Sequence, residues 1–333
     1  MDEKNLRVFD LHCDTLDRLA LHAQPEYPAF APQDESVPHE RMSSLLDNDA
    51  HISLERIGRF GWCQCFAIFV PDELRGQEAW QFFEQVRSYF DSQMTAHAKH
   101  VAQVRDARDI EGLLGTGKTA AMLTVEGGAF FDGTSLDHAD DIAKAGVKML
   151  TLTWNGINAI GSGHETRQGL SAYGKRVVAA LEERRIVVDV SHLNDRGFSD
   201  LCDAATRPFA ASHSNARAVC GHPRNLKDSQ IRAIAEAGGI VGLNFCTQFL
   251  SDEHTDPTHD DVLRHIDRIC EVGEEEVLAL GSDFDGCDVP SWLSPADKVS
   301  VLHALIASHF GNRLADKVCF DNALAFFVRN EEA

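Results

Sequence analysis

The 333-residue sequence contains no apolar run near the ~20 residues that a membrane-spanning helix needs, and no cysteine pair spaced C-x-x-C. The first absence excludes a bilayer-spanning helix. The second leaves a zinc ribbon or a thioredoxin-like site with little support. Basic residues are scarce: 31 Lys and Arg stand against 52 Asp and Glu, a net charge of −21. A polyanion repels phosphate backbones and anionic headgroups, so nucleic acid and membrane surfaces are poor partners. Met1–Leu11 lacks the apolar core of a secretory leader, and Arg329–Ala333 is no hydrophobic tail, so the expected location is the cytoplasm. The nine cysteines are an odd number and lie mostly in apolar segments such as Trp62-Cys63-Gln64-Cys65-Phe66, as buried free thiols of a reducing compartment would. There is no internal repeat and no linker-like shift in composition. The chain reads as one domain, 1–333.

Eight short apolar runs are present: Arg7–Leu11, Cys63–Phe69, Ala120–Val125, Val147–Thr153, Ile186–Val190, Pro208–Ala211, Gly239–Asn244 and Val277–Gly281. Each has the length and turn-residue flanks of a buried parallel strand. Helical spacing separates most of them. Trp80, Phe83, Val86, Phe90 and Met94 recur every three or four residues, as do Val177, Leu181 and Arg184, and Asp228–Glu236 opens on an acid that could cap it. Eight alternating units predict an α/β fold of the (β/α)₈ TIM-barrel type. A doubly wound sheet fits less well, because no Gly-x-Gly-x-x-Gly follows the first run. Gln24–Pro38, with four of the ten prolines, is either a solvated connection or part of a pocket rim.

Polar residues stand where these strands end. Arg7–Leu11 runs into His12-Cys13-Asp14, whose first and third side chains share a face if the segment stays extended, with the Cys13 thiol turned away. A lone H-x-D triplet can be coincidence. Ala120–Val125 is followed by Glu126-Gly127-Gly128, where the acid could also be a helix N-terminal residue. Asp189-Val190-Ser191-His192 and Ala211-Ser212-His213 each deliver a Ser-His pair, and Gly281-Ser282-Asp283-Phe284-Asp285 offers two acids, one of which could simply cap a turn. In a barrel all strand C-termini meet at one mouth. His12, Asp14, Glu126, His192, His213 and Asp283 then form one cluster of imidazoles and carboxylates, suited to Zn²⁺ or a similar ion such as Mn²⁺ or Co²⁺. Five ligands exceed one open tetrahedral site but suit two ions about 3.5–4 Å apart sharing a carboxylate.

This pattern resembles the membrane (renal) dipeptidase family, peptidase M19, within the amidohydrolase-like metal-dependent barrels. Ala211-Ser212-His213-Ser214-Asn215-Ala216-Arg217-Ala218-Val219-Cys220 with His222-Pro223-Arg224-Asn225-Leu226 resembles the family signature. Val188–His192, Glu126–Gly128 and Gly281–Gly286 match in the same order. The resemblance covers roughly Leu6 to Val328. It implies two Zn²⁺ per chain, one held by His12 and Asp14, the other by His192 and His213, with Glu126 bridging. It also implies Asp283 as the acid beside the metals, Arg224 as a contact of the substrate carboxylate, a dipeptide substrate (with or without a C-terminal D-residue), and a possible homodimer. Arg224 could alternatively be a surface salt-bridge residue.

Two departures stand out. Many relatives have histidine after Leu-Thr-Leu-Thr; here Leu150-Thr151-Leu152-Thr153 is followed by Trp154-Asn155, as in many bacterial-type members, so Asn155, Asn158 or Trp154 would take over a substrate contact. Phe320-Asp321-Asn322-Ala323 lacks the glycine usual before that asparagine. Two cations sharing one solvent molecule would lower its pKa toward ~7, giving a metal-bridging hydroxide that attacks the peptide carbonyl. Asp283 would pass the proton to the departing amine. The rival expectations are another superfamily hydrolase acting on an acyl amino acid, lactone, phosphoester or cyclic amide, a non-catalytic metal-binding homologue, and a redox or regulatory role for the cysteines.

Overall fold

The computed structural model describes residues 6–23 and 42–332, so the proline-rich Gln24–Pro38 stretch lies outside the described residues. Among those described, the strands are β1 (Arg7–Asp10), β2 (Gly61–Phe69), β3 (Val101–Gln103), β4 (Thr119–Glu126), β5 (Val147–Thr151), β6 (Val187–Asp189), β7 (Ala210–Ala211), β8 (Ile240–Leu243) and β9 (Leu278–Leu280). Their order is β2-β1-β9-β8-β7-β6-β5-β4-β3, and the parallel pairing of Cys63–Phe69 with Ala120–Glu126 joins β2 to β4 and closes the ring. The strand that does not belong to the ring is β3, which pairs only with Thr119–Ala121 at the start of β4, before β5 takes over at Leu123. It is too short and too polar to register as an apolar run. The remaining eight strands form the closed parallel (β/α)₈ barrel expected from the eight runs.

Alternation along the strands makes two apolar layers. Phe9, Cys63, Ala120, Met149, Val187, Ala210, Ile240 and Ala279 come one from each barrel strand and pack together as the barrel interior. Phe320, Phe326 and Phe327 join this cluster, and the Phe327 ring stacks on Phe9 at 5.5 Å. The C-terminal helical segment therefore floors the barrel at the end opposite the strand C-termini. Small residues (Cys63, Ala120, Ala210, Ala279) alternate with large ones (Phe9, Met149, Val187, Ile240), because eight strands leave room only for an interdigitated fill. That explains the burial of Cys63 and Cys65, and all nine cysteines are free.

The outer layer packs the strands against helices. The Trp80–Met94 stripe falls on helix Gly76–Ala96, which buries Phe83, Val86 and Phe90 together with Ala79, Phe82 and Tyr89. Helix Ala172–Glu183 starts where Ser171 Oγ accepts Gly174 N–H. In helix Asp228–Glu236 the acid lies within the first turn and Lys227 holds the cap position, so Asp228 acts on the helix dipole rather than as the cap. Asn322, whose preceding glycine is missing, donates through Nδ2 to Glu275 O (2.6 Å) and Leu278 O (2.7 Å), fastening the C-terminal segment to the start of β9. Among the described residues no helix is long and apolar enough to cross a membrane.

Candidate metal centre and substrate cavity

Two buried aspartates shape the strand ends that carry the polar cluster. β1 ends at Asp10, whose Oδ1 accepts His12 N–H (3.4 Å) and Ser282 N–H (2.8 Å). Its Oδ2 accepts Ser282 Oγ–H (2.6 Å) and Gln64 Nε2–H (3.0 Å). Past Asp10 the chain stays beside its neighbours, with Leu11 N–H on Leu280 O and Asp14 N–H on Phe284 O (both 2.9 Å); Cys13 bridges to Phe284 with its thiol buried, and His12 and Asp14 reach the mouth together. Asp189 repeats this device at the end of β6. Its Oδ1 accepts Ser191 N–H (3.0 Å) and Ser212 N–H (2.8 Å), and its Oδ2 accepts Thr151 Oγ1–H and Ser212 Oγ–H, both at 2.5 Å. Glu126 is the last residue of β4. Gly127 after it has φ +91, and a Cβ there would lie 2.7 Å from Val70 O, so the backbone turns where only glycine fits. His192 (φ +71) and Asp283 (φ +62) hold left-handed conformations that cost roughly 1–3 kcal/mol each, the kind of strain that collects at functional sites.

The side chains converge. Glu126 Oε1 is 2.7 Å from His192 Nε2 and 3.5 Å from His213 Nε2, while Oε2 is 3.4 Å from His12 Nε2. His12 Nε2 is also 3.5 Å from Asp14 Oδ2 and 4.0 Å from Asp283 Oδ1. The His192 and His213 Nε2 atoms are 3.0 Å apart, and the His12 and His213 rings stack at 3.8 Å. Three groups result, each with ligand atoms within 4.8 Å of one another: His12–Asp14–Glu126, Glu126–His192–His213 and His12–His213–Asp283. One carboxylate thus faces two histidine sets with different oxygens.

Burial and charge oppose each other here. Burial alone would lower His12, but Asp14 and Glu126 overturn it and hold the ring well above its usual range. Burial, then the Arg224 charge, pushes His192 down to about 3; burial, then the His12 charge, lowers His213. Asp14 is pushed up to about 7 by burial, against the pull of His12. Burial would raise Glu126 and Asp283, but neighbouring histidines bring both below the carboxylate range. The donor set fits a divalent cation. His12 Nε2 and Asp14 Oδ1 are buried without a hydrogen-bond partner. His192 Nδ1 is 2.7 Å from Asn155 Oδ1 and His213 Nδ1 is 2.7 Å from Ser212 Oγ, which fixes the tautomers with both Nε2 lone pairs aimed at Glu126.

The cluster opens into a cavity of about 570 Å³, a size suited to a small ligand. Phe69, Phe82, Trp154 and Asn155 are on its lining, as are His164, His222 and Phe249. Arg224 lies behind that lining. Its terminal nitrogens donate to Ser214 Oγ (3.2 Å) and His213 O (3.1 Å), its Nε has no partner, and the guanidinium sits 5.6 Å from the Phe249 ring centre. Two of its five donor hydrogens are thus engaged. It is buried, which excludes the surface salt-bridge reading. Asp285 is also settled: it accepts from Thr15 Oγ1 (2.5 Å) and His51 N (2.7 Å), holding the loop rather than joining the cluster.

A profile described as membrane dipeptidase (peptidase family M19) matches residues 3–333. The chain belongs to that family. By class it is a metallo-dipeptidase, a hydrolase. An uncharacterized protein from the pqqA 5′ region of Klebsiella pneumoniae is 36% identical over 245 residues, covering 70% of this chain and 90% of that protein. Two solved structures cover 98% of the chain and 99% of their own. A Rhodobacter sphaeroides metallo peptidase, liganded with a phosphinate mimic of the dipeptide L-Ala-D-Ala, has a TM-score of 0.87 at 27% identity. A dipeptidase AC of family M19 has a TM-score of 0.88 at 28% identity.

Within this family member, the loop bearing Trp154 and Asn155 is firmly held. Asp72 Oδ2 accepts Gly156 N–H (2.6 Å), and Asn194 Nδ2 donates to Thr166 O (3.1 Å) and Gln168 O (2.8 Å). Trp154 packs edge-on against Phe69 at 5.0 Å, and Asn155 has its oxygen on His192, so its first contact is with a candidate ligand. Several residues here escaped the sequence reading. Asn244 follows β8 and donates to Asp283 Oδ2 (3.0 Å); the strand-end rule applied once more would have found it. Asp17 lies three residues past Asp14, a helical spacing that carried a usable signal. His164 comes from a loop and Phe249 from the four-residue helix Thr247–Leu250, and neither left one.

Proposed function

We propose that the chain hydrolyses the peptide bond of dipeptides with two Zn²⁺ ions, including dipeptides with a C-terminal D-residue, as the ligand of the Rhodobacter sphaeroides relative suggests. The observation that carries the reading is Glu126, whose two oxygens address His12 on one side and His192 with His213 on the other. His12 and Asp14 would hold one ion, His192 and His213 the other, and Glu126 both. When bound, the ions supply a solvent molecule acidified toward neutral pH and a positive charge for the substrate carbonyl oxygen. Asp283, oriented by Asn244, takes the proton of the attacking water and returns it to the leaving amine. Arg224 supplies the positive charge for the substrate carboxylate, with three donor hydrogens to spare. Trp154 and Phe69 form an apolar wall for a side chain, and Asn155 keeps His192 in its tautomer.

The test is a screen of the zinc-loaded protein against L-L, L-D and D-L dipeptides, with a tripeptide and a chelator as controls. Dipeptide cleavage that chelation abolishes and zinc restores is expected, with the tripeptide left intact. A fully metallated protein that cleaves no dipeptide would overturn the reading.

A further inference from the structure

We infer that Asp17 anchors the free α-ammonium of the substrate and makes the enzyme selective for an unblocked N-terminus. This rests on the dipeptidase reading and adds a residue that neither the metal cluster nor the proton transfer uses. Asp17 belongs to helix Thr15–Ala23, which begins directly after Asp14, so one helical turn sets its carboxyl beside the cluster. It lines the cavity yet is only 5% exposed. Its Oδ2 is fixed by Phe69 N–H at 2.8 Å, and its Oδ1 has no hydrogen-bond partner. A buried carboxylate oxygen left unpaired is costly, and a donor arriving with the ligand removes that cost. Asp17 is in none of the three candidate ligand groups. The neighbouring cation, Arg18, has its Nη1 3.7 Å from Asp285 Oδ1, so its charge is directed elsewhere.

Position within the barrel gives the ammonium a direction. Asp17 stands over β1 and the end of β2, whereas Arg224 follows β7, and β9 and β8 separate the two around the ring. A dipeptide zwitterion laid across the mouth would meet a carboxylate at one end and a guanidinium at the other, with its peptide bond over the cluster. The Phe69 and Trp154 rings, packed edge-on at 5.0 Å, line the same cavity as Asp17 and give an ion pair there an apolar wall. An N-acyl amino acid has no charge to offer there.

The experiment compares an alanyl dipeptide with its desamino analogue, in which a propionyl group replaces the first alanine. The analogue is followed as substrate and as competitive inhibitor, on the zinc-loaded wild type, Asp17→Asn and Asp17→Glu. Asp17→Asn keeps an acceptor for Phe69 N–H and is expected to lose ~10- to 100-fold in kcat/KM for the dipeptide, mainly through KM. Affinity for the desamino analogue should stay within ~3-fold, zinc content should be unchanged, and Asp17→Glu should retain part of the amine preference. If Asp17→Asn keeps the full wild-type preference for the amine, or loses zinc, the assignment of Asp17 fails while the dipeptidase reading stands. A wild type that cleaves no dipeptide overturns both.

Discussion

On the β6–β7 side of the mouth, each histidine has its outer ring nitrogen tied to a side chain: His192 to Asn155, and His213 to Ser212, which leans on Asp189. Burial holds both rings below their usual pKa, so they face Glu126 as neutral imidazoles. On the β1 side, His12 is pushed up by Asp14 and Glu126, and the partnerless atoms His12 Nε2 and Asp14 Oδ1 are both found there. One half is organised by the protein itself. The other is a charge balance in which a proton and a divalent cation compete for the same nitrogen. With two ions bound as proposed, the one on the β6–β7 side is expected to bind more tightly and less pH-dependently than the one on the β1 side.

Five substitutions probe this contrast, the most damaging first. Glu126→Gln touches both halves and should cost at least ~10³-fold in kcat/KM with loss of both metals by elemental analysis; retention of either ion at full occupancy would contradict a shared carboxylate. Asp283→Asn is expected to cut kcat by ~10²–10⁴ with metal content held, and loss of metal together with activity would make Asp283 a ligand. Arg224→Ala should raise KM for dipeptides ~10- to 100-fold; a collapse of kcat alone would argue against carboxylate binding. Asn155→Ala should weaken only the β6–β7 ion, by ~10-fold in a metal titration, leaving the β1 ion untouched.

The smallest effect on activity comes from His265, which accepts Ala216 N–H at 3.1 Å through Nδ1 and donates to Leu250 O at 3.0 Å, bracing the segment after His213. Burial pushes it down to about 4 from 6.5. Between those values the unfolded chain binds a proton that the folded chain does not. Its stabilisation is thus complete above pH ~6.5 and is lost as pH falls toward ~4. Urea unfolding of His265→Gln should show a pH 8 to pH 5 stability loss ~2 kcal/mol smaller than that of the wild type, with turnover at pH 8 nearly unchanged.

The barrel was readable because parallel strands buried on both faces leave uninterrupted apolar runs, and Ala120–Val125 or Gly239–Asn244 can hardly be anything else. The meeting of His12, Glu126 and His213 followed from that topology, since strand C-termini share one mouth. The clamp of Asp10 on Ser282 was not readable, because the two are distant in sequence and close only once β1 lies beside β9. The same holds for the left-handed backbone of His192 and Asp283, for β3, whose three residues carry no pattern, and for Arg224, whose burial behind Phe249 and His222 is set by loop packing.

Gly286 is absent from every functional role above, yet a methyl group on its α-carbon would collide with the carboxylates of Asp14 and Asp283 together. The two acids, both near His12, are thus gauged against one backbone atom. Alanine at this position would push a candidate ligand and the proposed proton carrier aside in a single step, so the spacing between the two carboxylates is built into the main chain and cannot be retuned one side chain at a time.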